Sequence, residues 1–528
     1  MTTGGGWRAL NFSSTVSRRD LLIGGGLAGI LSAYRAPYAR ADRTVCPKVT
    51  HGVATGDPSP DGVLVWSRCD RRARLRVDWS LDPSFRIKTT IFGTRATQAT
   101  DFTARARLIE LPPGELIYYR VLFAGEGKRA TSEPAYGQFR MPTNRSTNPY
   151  RFLWSGDVCG QGFGINPELG GLRIFDAMRA RRPDVFVHCG DVIYADGPLR
   201  EKKRLPDGRI WKNLVTPEKR KVAETMAEFH GNYRYNLMDQ HLRRFNQEVP
   251  QIVLWDDHET KNNWWPGMRF RDARYVVKDD ALLAKRARKA FFDYVPIIRN
   301  ASARGRIYRH LRQSPLVEFF ALDGRSYRGP NGVNRQRVPS SQTAFFGAAQ
   351  SDWLVEALHR STALWKIIAT PQPLSVLIAH DVNGFDGIGN GQGKMPAGRE
   401  LELARILSGI KARGIRNCIW IAADVHYAAA HRYEPERAIY RDFDAFWEFL
   451  AGPLNAGTFG PNPLDPTFGP TAQYVSLPVG VRQGASPLDG HQFFGQGDVS
   501  PQTGQLTVSL NDMHGRSLWS VTIDPNLS

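Results

Sequence analysis

A chain of 528 residues with 41% apolar and 23% charged side chains can bury a sizeable core, and its length suits one large domain with a smaller one. The 70 Lys and Arg against 51 Asp and Glu leave a formal charge of +19, which draws anions such as phosphate esters, nucleic acid or anionic lipid. No aromatic-basic RNA signature or zinc-finger spacing is present, so no dedicated nucleic-acid partner is expected, and five cysteines do not make a disulfide scaffold.

The first element is a targeting signal. Ser17-Arg18-Arg19-Asp20-Leu21-Leu22 sets a twin arginine before the Gly-rich apolar stretch LLIGGGLAGILSAY, and Ala39-Arg40-Ala41 comes next as a small-x-small cleavage site. Residues 1–41 read as a twin-arginine export signal, with the mature chain starting near Asp42 in the periplasm or outside the cell. The apolar stretch is too short to span a bilayer, so no membrane span is expected in the mature chain. Twin-arginine export machinery is the implied partner. It carries folded proteins, which suits one that loads a metal first.

The region 43–142 reads as a small β domain. VLVWSR (63–68), LRVDWSL (75–81) and ELIYYRVLFAG (115–125) alternate apolar and polar residues between turn residues. The stretch from Leu111 to Arg120 resembles the tyrosine-corner strand of fibronectin type III sandwiches, so a seven-strand sandwich is expected. Cys46 and Cys69 are close enough in sequence to pair in an oxidising compartment. MPTNRSTNPY (141–150) reads as a polar linker into a larger domain over 150–528.

There the pattern becomes strand, loop, helix, strand. Apolar runs at 152–154, 185–189, 252–255, 317–322, 365–369 and 418–423 alternate with helical stretches at 172–180, 218–245 and 398–414. Continuous apolar strands separated by helices imply sheets covered by helices, an α/β layered domain. The segment 505–525 reads as a β-hairpin completing such a sheet.

The residues at the carboxyl ends of these strands carry the chemistry. FLW ends in Ser155-Gly156-Asp157 and VFVHC in Gly190-Asp191-Val192-Ile193-Tyr194. IVLW ends in Asp256-Asp257-His258-Glu259, and CIWIAA in Asp424-Val425-His426. Acids packed side by side repel one another and are costly to desolvate, so a cation is expected among them. One acid at a strand end is as readily a helix cap, but four such ends, two with a His, point to a metal cluster where open α/β sheets place their sites. Carboxylates, imidazole, a phenol and amide oxygens suit iron, manganese, zinc or calcium. Two ions held by a shared Asp can clamp the attacking and leaving oxygens of a displacement at phosphorus, one of them turning a bound water into hydroxide.

These blocks are similar to the strand-end motifs of calcineurin-like metallophosphoesterases, and more closely to the PhoD-like alkaline phosphatase/phosphodiesterase family. HGVATGDPSPDGVLVWSR (51–68) resembles the start of its N-terminal domain; GDVIYAD (190–196), WDDHE (255–259) with Asn262-Asn263, and ADVHYAAAH (423–431) resemble its catalytic blocks. SGDVCGQGFGIN (155–166) and FWEFLAGPLNAGTFGPNPLD (446–465) look like a branch within the family. The resemblance implies a phosphomonoesterase or diesterase with ferric iron and calcium. Asp191 would be shared between ions, Tyr194 would be a phenolate ligand to iron, and Asp257, Asp424 and His426 would complete the cluster. His258 would face the phosphate and, with Asp191, carry the catalysis.

One position departs from the better-known branch, where a Cys thiolate closes the first strand. Here Asp157-x-Cys159 stands instead, so Asp157, or both residues, would ligate. Asn262 and Asn263 offer an amide oxygen to calcium or a cap to the next turn, with Asn262 taken as the ligand. Arg325, in Asp323-Gly324-Arg325, comes after another strand and is taken as a holder of substrate phosphate. His431 is expected to be structural. Two rival functions remain: a phosphodiesterase on phospholipid or teichoic-acid-like polymers, and a surface binding protein with a vestigial phosphatase domain.

Overall fold

The computed structural model describes residues 46–527 apart from 126–129, 146, 300–304 and 382–383. The expected export signal and cleavage site, residues 1–41, lie outside the described residues.

Two large sheets face each other. The first has nine strands in the order Ser517–Ile523, Leu506–Asp512, Phe493–Val499, Tyr150–Ser155, Val185–His188, Gln251–Val253, Val49–Ser59, Gly62–Cys69 and Thr103–Leu108. The second has seven: Arg309–Arg312, Val317–Ala321, Trp365–Ala369, Cys418–Ala422, Phe446–Leu450, Ala429–Tyr433 and Pro470–Val475. Phe152, Trp154, Val187 and Ile252 from one sheet pack on Phe319, Ile367, Ile421 and Phe449 from the other, all without exposed surface or nearly so. The outer face of each sheet carries helices. Ile174–Ala180 and Gln240–Glu248 cover the first around Leu153 and Phe186. Ala348–Arg360 and Glu400–Ala412 cover the second around Phe320, Ile368 and Trp420. Strands buried on both faces must be apolar throughout, which is why they stood out as continuous runs.

The hairpin expected at 505–525 forms the edge of the nine-stranded sheet, Leu506 opposite Ile523. The single helix expected over 218–245 is two helices, Met226–Asn236 and Gln240–Glu248. Asp239 breaks it: its backbone is extended and its carboxylate accepts from the N–H groups of His241 and Leu242, starting a new helix.

The seven strands expected between Val49 and Arg140 are present and, as in a sandwich, divide into two sheets over a shared core that includes Val53, Val65, Val77, Val121 and Phe139. Thr89–Ala96, Ala73–Ser80, Leu116–Ala124 and Ala135–Arg140 form their own sheet, while the other three continue the nine-stranded one. Val49–Ser59 pairs in parallel with Gln251–Val253, Gly56 beside Gln251, so an edge that would otherwise present unpaired backbone is closed by the nine-stranded sheet. The Tyr119 hydroxyl does not turn back on its own module. It donates to the Gln247 carbonyl at 3.4 Å, and Gly137 leaves the room, since a Cβ there would lie 2.3 Å from the tyrosine ring. All five cysteines are free thiols: Cys46 is exposed, and Cys69 is buried with its thiol directed at the Arg71 carbonyl.

Candidate metal centre

Three neighbouring parallel strands of the nine-stranded sheet and the central strand Cys418–Ala422 of the other end at one place. The ends approach so closely that a Cβ on Gly156 would sit 2.8 Å from the Ala423 methyl. At these ends Asp157, Asp191, Asp424 and His426 all adopt positive φ, between 52° and 67°. A non-glycine residue is uncommon there and costs on the order of 1–3 kcal/mol, a strain that gathers at functional sites. It turns each side chain off its strand and into the gap between the sheets.

The ligand atoms form three overlapping groups, each spanning no more than 4.8 Å: Asp157, Asp191 and His426; Asp191, Asp257 and His258; and Asp256, Asp257 and Asp424. The Tyr194 hydroxyl joins the first, 3.0 Å from His426 Nε2 and 3.4 Å from Asp157 Oδ1. The other His426 nitrogen, Nδ1, is taken by the Gly457 carbonyl, which turns Nε2 inward. Asp191 belongs to both the first and second groups and also accepts the His258 backbone N–H at 3.2 Å. The His258 ring lies against Tyr194, centroids 4.1 Å apart and tilted by 33°, and its Nδ1 lies 2.7 Å from Asp196 Oδ1.

The electrostatics say what the first two groups lack. Asp157 Oδ2 and Asp257 Oδ1 are buried and have no hydrogen-bond partner. Burial, then Asp257 and Asp256, push the Asp191 carboxyl well above the usual range; burial also drives up the Tyr194 phenol, with Asp191 and Asp157 adding to it. Oxygen atoms left bare in a dry acidic pocket are costly unless a cation meets them. Carboxylates, an imidazole and a phenol are the donor set for hard or borderline ions. The residues present therefore fit a metal centre.

The third group differs because the chain supplies its cation. Arg325, with no exposed side-chain surface, donates through Nε to Asp256 and reaches Asp386 at 2.9 Å, Asp257 at 3.4 Å and Asp424 at 3.8 Å. This corrects the reading of Arg325 as a holder of substrate: its donors are enclosed by carboxylates and face no opening. Burial alone would raise the Asp386 carboxyl, but Arg325, Arg328 and Arg399 hold it far below the ordinary range.

Two further expectations move. Cys159 is not in the cluster. Its thiol is buried among Val158, Ile165 and Leu172, with the Asn455 amide 3.9 Å away, and burial pushes it up to about 12. Positive φ at both Asp157 and Cys159 sends the first side chain into the site and the second into the core. Asn262 is exposed, and only its backbone N–H turns inward, to Asp196 at 2.8 Å. Asn263 is the residue against the cluster: its backbone N–H donates to Asp257, and its amide lies 3.1 Å from His380 Nδ1. His431 is structural, beside Glu448 in the sheet.

Residues not anticipated hold the site together. Glu259 accepts the backbone N–H groups of Val192 and Asp256, at 2.6 and 2.7 Å, and so ties two strand ends together. Asp196, five residues after Asp191 in the GDVIYAD block, anchors His258 and was readable as another acid in a ligand block. His380 lies in, and Asp386 just after, a small two-stranded sheet, Ala379–Asp381 with Gly384–Phe385; the apolar run LSVLIA (374–379) before His380 was the signal that went unread, whereas nothing local marked Asn331.

The sequence model of the PhoD-like phosphatases matches residues 152–510, and that of their N-terminal domain matches residues 35–143. The chain belongs to the PhoD-like phosphatase family. It is accordingly a hydrolase of phosphoric ester bonds. Alkaline phosphatase D of Bacillus subtilis (strain 168) is 25% identical over 445 residues, covering 78% of this chain and 70% of that protein. Among solved structures, that of PhoD superposes with a TM-score of 0.65 at 19% identity, covering 91% of this chain and 94% of PhoD. The purple acid phosphatase PPD1 of yellow lupin seeds gives 0.55 at 12% identity, covering 92% of this chain and 75% of the lupin chain. At such identities these likenesses concern the fold. Among the described residues no helix is long and apolar enough to cross a membrane.

Proposed function

We propose that this PhoD-like phosphatase is an exported enzyme that hydrolyses phosphate mono- and/or diesters at a two-metal centre whose ions Asp191 would help to hold. The observation that carries this reading is Asp157 Oδ2, buried with no partner, beside an Asp191 carboxylate that belongs to two groups of ligand atoms; Asp257 Oδ1 makes no hydrogen bond and meets only the Arg325 guanidinium at 3.4 Å. Asp157, Asp191, Tyr194 and His426 would hold one ion; Asp191 and Asp257, with Asp424 at the margin, the other. By resemblance the ions are Fe3+ and Ca2+, with Mn2+ or Zn2+ as the alternatives the donor set allows. Bound there, they supply Lewis acidity toward the phosphoryl oxygens and toward the attacking water.

The chain's own part is positioning and proton control. His258 Nδ1 is committed to Asp196, which leaves Nε2 for the substrate. Burial would lower the imidazole pKa, but Asp196 and Asp257 hold it up to about 9 while no ion offsets the Asp257 charge. An imidazolium there steadies a phosphoryl oxygen and can donate a proton to the leaving alkoxide. Asp196, kept below the ordinary carboxylate range by His258 in spite of its burial, stays charged as the ring's anchor.

The test is metal content by emission spectroscopy on protein from its native export route, paired with turnover of nitrophenyl mono- and bis-phosphate. Stoichiometric iron and calcium, with turnover lost in Asp191→Ala, supports the reading. Manganese or zinc with activity keeps the phosphoesterase and discards the iron assignment. Metal-free, inactive protein removes the proposal. A mature N-terminus at Met1 rather than near Asp42 removes the export assignment.

A further inference from the structure

A second cationic site lies away from the metal centre, where the N-terminal strands meet the segment after the helix Asp280–Tyr294. Along the strand Thr103–Leu108, Ala104, Ala106 and Leu108 enter the core between the N-terminal sheets. By the alternation of a strand, Arg105 and Arg107 point the other way, opposite Trp66 and Leu64 of the neighbouring strand. Arg95 comes from the adjacent strand and Arg299 from the facing segment. Together they line an open cavity of about 440 Å³ with Thr94, Thr100 and Thr103. None of these residues belongs to the metal groups.

The charge in this cavity is not answered by the protein. Its one acid among the described lining residues is Asp293, already held by His230 at 2.9 Å and Lys289 at 2.6 Å, with Arg299 at 3.6 Å. The next carboxylate, Asp57, is taken by Arg309 and by the Ile298 backbone N–H. Arg95 and Arg107 are exposed and have no carboxylate partner among the described residues. Arg105 is half-buried; its Nη1 reaches the Ile297 carbonyl at 3.5 Å, while its Nη2 is buried with no partner at all. A buried guanidinium nitrogen without an acceptor costs about 1–3 kcal/mol or more, and the other arginines add repulsion. Burial, with the Arg299 charge close by, pulls the Arg105 guanidinium down to about 9.

We propose that this cavity is a second, non-catalytic anion site that binds a phosphate group, with Arg105 at its floor and Arg95 and Arg107 at its rim. Planar guanidinium forks match phosphate oxygens in pairs, and a phosphate supplies the acceptors that Arg105 lacks. The cavity volume is that of a small-molecule site, enough for a phosphate together with the group that carries it. The site holds a phosphate-bearing ligand on the enzyme without presenting it to the metal centre.

Titration calorimetry of the full chain with methylphosphonate, which has no ester bond to hydrolyse, tests this. Binding that persists in Asp191→Ala but weakens at least tenfold in the double variant R95E/R107E, with nitrophenyl phosphate turnover unchanged, is the expected result. Flotation with phosphatidylglycerol against phosphatidylcholine vesicles forms the second arm and separates a lipid headgroup from a soluble phosphate. Arginine-dependent binding in either arm supports the site and names its source. Should R95E/R107E lose turnover through misfolding, Arg105→Gln takes its place. Methylphosphonate and vesicle binding that ignore a folded arginine variant overturn the proposal.

Discussion

Two acidic regions lie side by side at the strand ends and solve the same problem differently. Around Asp191, Asp157 Oδ2 is left bare and Asp257 Oδ1 makes no hydrogen bond, with only the edge of the Arg325 guanidinium 3.4 Å away. Around Asp256 and Asp386, the guanidinium of Arg325 fills the gap, backed by Arg328 and Arg399. Both regions are buried and both are rich in Asp, so acid content alone does not mark a metal site. The difference between them is whether the chain delivers its own cation. The fixed charge of Arg325 neutralises acids shared with the metal groups, Asp257 and Asp424 among them, and so limits the repulsion the ions must overcome.

The sharpest way to break this contrast is Asp191→Ala, which removes the one residue common to both metal groups. Turnover of nitrophenyl phosphate is expected to fall by at least on the order of 10²–10³-fold, the scale of losing one preorganised electrostatic group, and metal content should fall with it. Stripping the metal with a chelator should remove the ions' charge from beside Asp191 and the acids that act on it, Asp256 and Glu259 among them. In the stripped protein burial raises Asp256 to about 7 and Glu259 to about 8. A carboxyl whose folded pKa is raised above its unfolded value favours the fold while protonated. That stability is complete below about pH 4 and is lost as pH rises through 7 and 8. Melting temperatures of stripped and loaded protein should therefore diverge as pH rises from 5 to 8.

Arg325→Met probes the other region. Leaving Asp256 and Asp386 buried without their partner should cost about 3–5 kcal/mol in denaturant unfolding, whereas Arg325→Lys should recover part of it. An unfolding midpoint unchanged in Arg325→Met would mean that the two regions are not distinguished by their cations. Asp196→Asn keeps the hydrogen bond to His258 but removes the charge. A 10–100-fold loss of turnover with metal content intact is expected, the usual effect of an outer partner in a metal site. The smallest effect belongs to Cys159→Ala: about 1 kcal/mol of stability, with metal content and turnover unchanged. Loss of iron in that variant would return the thiol to the ligand set.

The candidate ligands that end strands were legible because a buried strand is an uninterrupted apolar run, and a charged residue at its end has no local reason to be there. That reasoning found Asp157, Asp191, Asp257, His258, Asp424 and His426, and the structure brings all six together. It failed where two residues sit close in sequence and only backbone torsion decides which one turns inward. Cys159 lies two residues beyond Asp157 and enters the core; Asn263, not its neighbour Asn262, meets Asp257. It also failed for Arg325, since a strand-end arginine reads the same whether it faces solvent or four carboxylates.

The sequence by itself determined the α/β layering, the hairpin at the sheet edge and the kind of chemistry at the strand ends, because periodicity and ligand type are local properties. Only the tertiary structure decided that three N-terminal strands extend the nine-stranded sheet, that Arg325 is an internal counter-ion, and that His380 and Asp386 come to the site in and just after a small two-stranded sheet. Those outcomes depend on which edge is left unpaired and which charges are desolvated together. Both are set by pairings between residues tens to hundreds of positions apart, such as Gly56 with Gln251 and Asp256 with Arg325.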